Sequence, residues 1–239
     1  MSSRVAITPP FFEVGPKAYM YGTELLQLAL CADLLSEHYG VQIIITPQDV
    51  DIGAIAQRVQ RVLVFAQHLD PLRPGRGVGS ALPEAVRAAG AVGVLLNHSE
   101  CPVPGEELGQ VISRAHEVGL ATMVCADDAG QAAAVAAYGT DAIIVEEPAL
   151  IGTAGGRGQP RITAIDHAIW RVDPRIRVLH AAGISGPGDV HDVIAAGAQA
   201  TGSSSAIFTS PDPQRMLREM IRATRRAWDA RPRTIEETA

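Results

Sequence analysis

Apolar residues fall into short blocks of about five or six along the chain, separated by longer stretches in which they recur at helical spacing. The blocks are "FFEV", "VQIII", "RVLVFA", "AVGVLL", "ATMVC", "AIIV", "IRVLHA" and "AQATGSS". Continuous runs of this length suit strands buried on both faces, as in a parallel sheet. Between the first two, "ELLQLALCADLLSEHYG" (24–40) places Leu25, Leu28, Ala29 and Ala32 on one helical face, and Gly40 ends the helix. The same pattern predicts helices near 53–59, 83–89, 105–117, 128–137, 162–172, 187–196 and 211–229. The chain reads as strand then helix, eight times over.

Eight such units in 239 residues are what a (β/α)8 barrel requires, and an open doubly wound sheet would give similar local patterns. No low-complexity linker divides the chain. The reading is a single α/β domain, a barrel over residues 10–229, with a flexible N-terminal extension (1–9) and a polar C-terminal tail (230–239). In a barrel the chemistry sits where strands end, so polar residues that terminate apolar runs become informative.

Composition narrows the partners. A 47% apolar chain can fill one large core. The net charge of −6, from 20 Lys+Arg against 26 Asp+Glu, and the lack of any basic block exclude a nucleic-acid partner. Cys31, Cys101 and Cys125 are odd in number and far apart, which suggests neither a disulfide framework nor a CxxC metal site and fits a reducing cytoplasm. No window approaches the roughly 18 uninterrupted apolar residues of a membrane span, and no signal-like segment opens the chain. A cytoplasmic protein without a membrane contact is expected.

Three strand ends carry candidate chemistry. The fourth run stops at His98, Ser99 and Glu100, which reads either as a helix start with a solvent-facing histidine or as an imidazole kept neutral by a helix N-terminus. The sixth stops at Glu146 and Glu147, followed by Pro148 and a small-residue stretch; this is either a surface turn or a base joined to a closing lid. Alternation allows only one of the two carboxylates to point inward. After the seventh and eighth runs come "AAGISGPGDV" and "ATGSSSAIF", Gly- and Ser-rich turns whose backbone N–H groups can cradle phosphate.

Taken together, "FAQHLDPLRPGRGVGSALPEAV", "GAVGVLLNHSE", "GLATMVCAD", "VEEPALIGTA" and "AAGISGPGDV" resemble the triosephosphate isomerase family, in its short archaeal-like branch, over residues 11–225. The resemblance implies a TIM barrel and a ketol isomerase that moves a proton between adjacent carbons of a small sugar phosphate through a cis-enediolate, with no metal or organic cofactor. It assigns Glu146 as the base, with Glu147 in reserve, His98 as the neutral electrophile and Lys17 as the charge-balancing amine. It further implies Gly152 in a lid over 148–155, and Gly183, Ser185, Ser204 and Ser205 around the phosphate. A homodimer or homotetramer is implied, with the loop 68–82 as interface element and His68 ordering that loop.

One departure stands out. The family carries an asparagine two residues before the lysine, and here that position is Gly15. A polar contact is lost and space is expected to be gained, which favours a four-carbon ketose phosphate, an erythrulose phosphate, over ordinary triose phosphates. The alternatives are conventional interconversion of glyceraldehyde 3-phosphate and dihydroxyacetone phosphate, a barrel that binds sugar phosphates without converting them, and an epimerase or aldolase on the same scaffold. An aldolase would need a Schiff-base lysine, and Lys17 is the chain's sole lysine.

Overall fold

The computed structural model describes residues 4–146, 159–181 and 183–231. The described residues form eight strands and nine helices. The first half runs β1 (Phe11–Val14), α1 (Gly22–Tyr39), β2 (Gln42–Ile45), α2 (Asp49–Ala56), β3 (Leu63–Ala66), α3 (Pro83–Ala88), β4 (Gly93–Leu96) and α4 (Gly105–Glu117). The second half runs β5 (Ala121–Ala126), α5 (Ala129–Ala136), β6 (Ala142–Val145), α6 (Gln159–Trp170), β7 (Arg177–His180), α7 (Pro187–Ala195), β8 (Ala200–Ser203), α8 (Ser205–Phe208) and α9 (Pro213–Ala230). Each strand pairs in parallel with the next, and β1 closes on β8 with Phe11 opposite both Gln42 and Ala200. The barrel is closed, which settles the choice against an open sheet.

The apolar runs are continuous because both strand faces are buried. Phe11, Ile44, Phe65, Leu95, Met123, Ile144 and Leu179 fill the barrel. Their neighbours Phe12, Ile43, Val64, Val94, Val124, Ile143 and Val178 pack outward against the helices. Gly93 stands beside Phe65 across β3 and β4, and a Cβ there would lie 2.3 Å from the ring. Residues 4–9, set apart in the sequence as an extension, lie under the barrel. Ile7 is 6% exposed and joins the interior cluster, Thr8 N–H donates to Gln42, and Arg4 pairs with Asp141.

Helix ends follow local chemistry. Gly40 adopts a left-handed φ of 61° and donates its N–H to Ser36 O, closing α1 as the sequence suggested. Asp128 and Asp212 cap α5 and α9 by accepting from Gln131 N–H and Arg215 N–H. α2 begins at Asp49 rather than near 53. Asp49 and Asp51 favour its amino end, and the buried Asp51 carboxylate accepts Gly22 N–H at 2.9 Å. α6 likewise starts at Gln159 rather than 162, and the short α8 was not expected.

Gly93→Ala forces a methyl into the Phe65 ring and is expected to cost about 1–3 kcal/mol of stability. Adding Phe65→Leu should return part of that loss, read as a shift in denaturant midpoint at constant slope.

Candidate active site

Two-residue alternation carries the interior series one step further, to the carboxyl-terminal rim. After Phe11, Ile44, Phe65, Leu95 and Ile144 come Glu13, Thr46, Gln67, Asn97 and Glu146. The lining changes from apolar to polar within a single layer.

His98 is presented by a turn that Asn97 fixes. Asn97 takes a left-handed φ of 58°, its amide donates to Cys125 O at 3.0 Å, and its side-chain oxygen accepts Val103 N–H at 3.1 Å. Cys101 N–H closes the turn on His98 O. The helix expected to open at 98–100 opens instead at Gly105. Glu100 N–H donates to His98 Nδ1 at 3.1 Å, which assigns the ring's hydrogen to Nε2. Nε2 lies 3.6 Å from Glu146 Oε2, too long for a hydrogen bond but close enough for one small molecule to touch both.

Lys17 is held in a strained left-handed conformation, φ 47°. The Gln67 amide donates to Lys17 O at 3.2 Å and to Thr46 O at 2.8 Å, tying this turn to the end of β2. The ammonium meets Glu100 Oε1 at 2.6 Å, and that hydrogen bond keeps the Glu100 carboxyl below its ordinary range. Glu100 therefore serves two partners, its backbone facing His98 and its carboxylate facing Lys17.

Glu146 is anchored through its N–H to Ala126 O at 3.0 Å. By alternation from Ala142 and Ile144 it points inward, on the same side as the interior cluster. Glu147, Gly152 and the expected lid over 148–155 lie outside the described residues.

The space expected beside Gly15 is occupied. The carboxylate of Glu13 lies there, so that a Cβ on Gly15 would fall 2.9 Å from its Oε1, and a Cβ on Gly202 2.9 Å from its Oε2. Thr46 Oγ1 donates to Oε1 at 2.8 Å. Burial raises the Glu13 pKa from 4.5 to about 7; the Thr46 hydrogen bond lowers it, the charge of Glu146 raises it and that of Lys17 lowers it. Burial and the same carboxylates push the neighbouring Cys125 thiol well above its ordinary value. The sequence reading missed Glu13, although an acid in inward phase with Phe11 inside an apolar run was the available signal.

On the β7 and β8 side, Gly183 has a left-handed φ of 67°. Ser185 N–H and Oγ both donate to Asp189 Oδ2, at 2.8 and 2.6 Å, so Ser185 is committed to the start of α7. The hydroxyls of Ser203 and Ser204 are buried with no hydrogen-bond partner among the described residues, while Ser205 is exposed at the start of α8. Other singled-out residues are structural. His180 is buried and meets Asp166 at 2.8 Å, Trp170 donates to Ile176 O, Arg231 stacks on Trp228, and His68 lies near Asp70 and Cys101. Among the described residues no group of His, Cys, Asp and Glu could hold a metal ion, and no helix is long and apolar enough to cross a membrane.

Fold and rim together define a (β/α)8 barrel with an amine, an imidazole and a carboxylate at its carboxyl-terminal mouth. The chain belongs to the triosephosphate isomerase family, whose family model, described as triosephosphate isomerase, matches residues 17–155. It is 36% identical over 217 residues to the triosephosphate isomerase of Methanobacterium bryantii, covering 89% of this chain and 96% of the relative. It is 33% identical over 218 residues to that of Methanosarcina barkeri, covering 89% and 98%. The crystal structure of the Bartonella henselae triosephosphate isomerase superposes with a TM-score of 0.70 at 15% identity, covering 92% of this chain and all of that one, which shows the shared fold.

The sign of the Glu13 effect on stability is set by its raised pKa. Below pH 4.5 the group is protonated in both states, and above about 7 it is ionised in both. Between them the folded protein holds a proton that the unfolded chain has released, so this residue lowers stability as pH rises through that window. Glu13→Gln should therefore gain melting temperature over the parent as pH goes from 5 to 8, measured by thermal unfolding across that range.

Proposed function

We propose that the protein is a ketol isomerase of small sugar phosphates, working by proton transfer between adjacent carbons through a cis-enediolate. The observation that carries this reading is the approach of His98 Nε2 to Glu146 Oε2 at 3.6 Å, with the ring's hydrogen assigned to Nε2 by Glu100 N–H. Glu146 removes the proton from the carbon beside the carbonyl, and His98 donates from Nε2 to the oxygens on which charge develops. Lys17 supplies a positive charge at the same rim. An Nδ1 that accepts a hydrogen bond requires the neutral ring, so His98 acts as a donor without passing through imidazolium.

The preferred substrate in this reading is a four-carbon ketose phosphate such as erythrulose phosphate. Gly15 removes one side chain from beside Lys17, and Glu13 returns a hydrogen-bonding group in its place, which changes what the rim recognises. Conventional triose-phosphate turnover is the second reading, favoured by the names of the relatives. In this reading Gly183, Ser204 and Ser205 meet the phosphate, which the left-handed φ of Gly183, the unpartnered Ser204 hydroxyl and the start of α8 at Ser205 support.

Proton NMR in heavy water with three-, four- and five-carbon sugar phosphates tests both readings. The isomerase exchanges a carbon-bound proton for deuterium, fastest with the four-carbon ketose phosphate; fastest exchange with glyceraldehyde 3-phosphate supports the second reading, and no exchange with any of them ends the assignment. Glu146→Gln should slow turnover about 10²–10⁴-fold, as removal of a general base does. Glu147→Gln should not, and the reverse pattern would move the base to Glu147. His98→Gln should cost about 10²–10³-fold, the loss of a donor to the developing oxyanion.

A further inference from the structure

Glu13 is a polar group that the proton-transfer machinery does not use. It sits on the inner face of β1, in phase with Phe11, and its side chain runs between two glycines, Gly15 and Gly202. A Cβ at Gly15 would meet the end of the Glu13 carboxylate, and one at Gly202 on the adjoining β8 would meet its Oε2, Cβ and backbone oxygen, so the Glu13 side chain lies against both glycines. A carboxyl retained only to hold the barrel together would be expected to have both oxygens satisfied. Among the described residues, the hydrogen bond it receives is from Thr46, to Oε1, and Oε2 receives none. Lys17, whose charge acts on Glu13, has its ammonium on Glu100. Glu13 is half-buried, and its inward phase from Phe11 sets it in the polar layer with Thr46.

We propose that Glu13 is a specificity-determining residue whose Oε2 takes the hydroxyl of a substrate carbon beyond the two between which the proton moves. The inference rests on the isomerase reading and deepens it. A three-carbon phosphate uses both non-phosphorylated carbons in the reaction and has no such hydroxyl to offer; a four-carbon ketose phosphate has one. A side chain set on Gly15 would meet the Glu13 carboxylate, 2.9 Å from Oε1 at its Cβ, and displace it from this position. The charged and titratable groups acting on Glu13 are Glu146 and Lys17, and the neighbouring Cys125 thiol is influenced by it. At neutral pH the carboxyl populates both of its forms, so it can donate to or accept from a sugar hydroxyl.

The test is the ratio of kcat/KM for erythrulose phosphate to kcat/KM for glyceraldehyde 3-phosphate, in the parent, Glu13→Ala, Glu13→Gln and Gly15→Asn. Removing a group that hydrogen-bonds a substrate hydroxyl should lower the ratio by about 10² or more in Glu13→Ala. Glu13→Gln, which keeps a hydrogen-bonding side chain of the same shape, should recover much of it. Gly15→Asn, which pushes the carboxylate aside, should lower the ratio with Glu13 still present. A ratio that stays at the parental value in Glu13→Ala overturns the proposal, as does an equal loss on both substrates. Heavy-water exchange by the parent separates the two failures. Exchange with neither substrate ends the isomerase reading and this one with it, whereas exchange with both and a constant ratio ends only the role of Glu13.

Discussion

Closure of eight short parallel strands imposes a strict two-residue phase on everything at the mouth. Once Phe11, Ile44, Phe65, Leu95 and Ile144 are committed to the interior, the residues two further along have no choice of side. That constraint delivers Glu146 to the rim and brings Glu13 and Gln67 in beside it. A slip of one residue in any strand would bury a charge among the helices or turn it to solvent. Hydrophobic packing and the placement of the polar rim are thus one condition here, met by the same register.

Above that layer the site depends on turns rather than strands. Asn97 fixes the direction of the chain after β4, and Glu100 then acts twice, through its N–H on His98 and through its carboxylate on Lys17. Two functional groups from opposite parts of the barrel are set by one residue that touches neither reacting carbon in the proposed chemistry. Gln67 completes the frame by holding the strained Lys17 backbone to the end of β2. The strained Asn97 and Lys17 are each held by hydrogen bonds to neighbouring elements, which is what keeps such conformations populated.

Much of this was legible in the chain. Strand and helix alternation gave the architecture because apolar runs buried on both faces have a distinct appearance, and Gly40 and the α1 core face fell where periodicity placed them. His98 and Glu146 were visible as polar residues ending apolar runs. Other features depended on tertiary packing. The start of α2 moved because Asp51 finds Gly22 N–H, a partner 29 residues away. The partner of His98 Nδ1 is an amide in a tight turn, Glu100 N–H, and not the start of α4. Gly15 read as a void because sequence shows what a position lacks, whereas what fills the gap arrives from Glu13, two residues back in β1. The inward phase of Glu13 was available from Phe11, but a single acid inside "FFEV" is easily absorbed into a strand pattern.

The floor of the barrel has its own consequence. Ile7, Phe11 and Phe65 seal the end opposite the mouth with hydrocarbon, so the polar layer is a cup with one opening. A proton on Glu13 can equilibrate with bulk water only through that opening. An occupant of the mouth would lie across that route, so the substrate and the Glu13 proton would share one path to water.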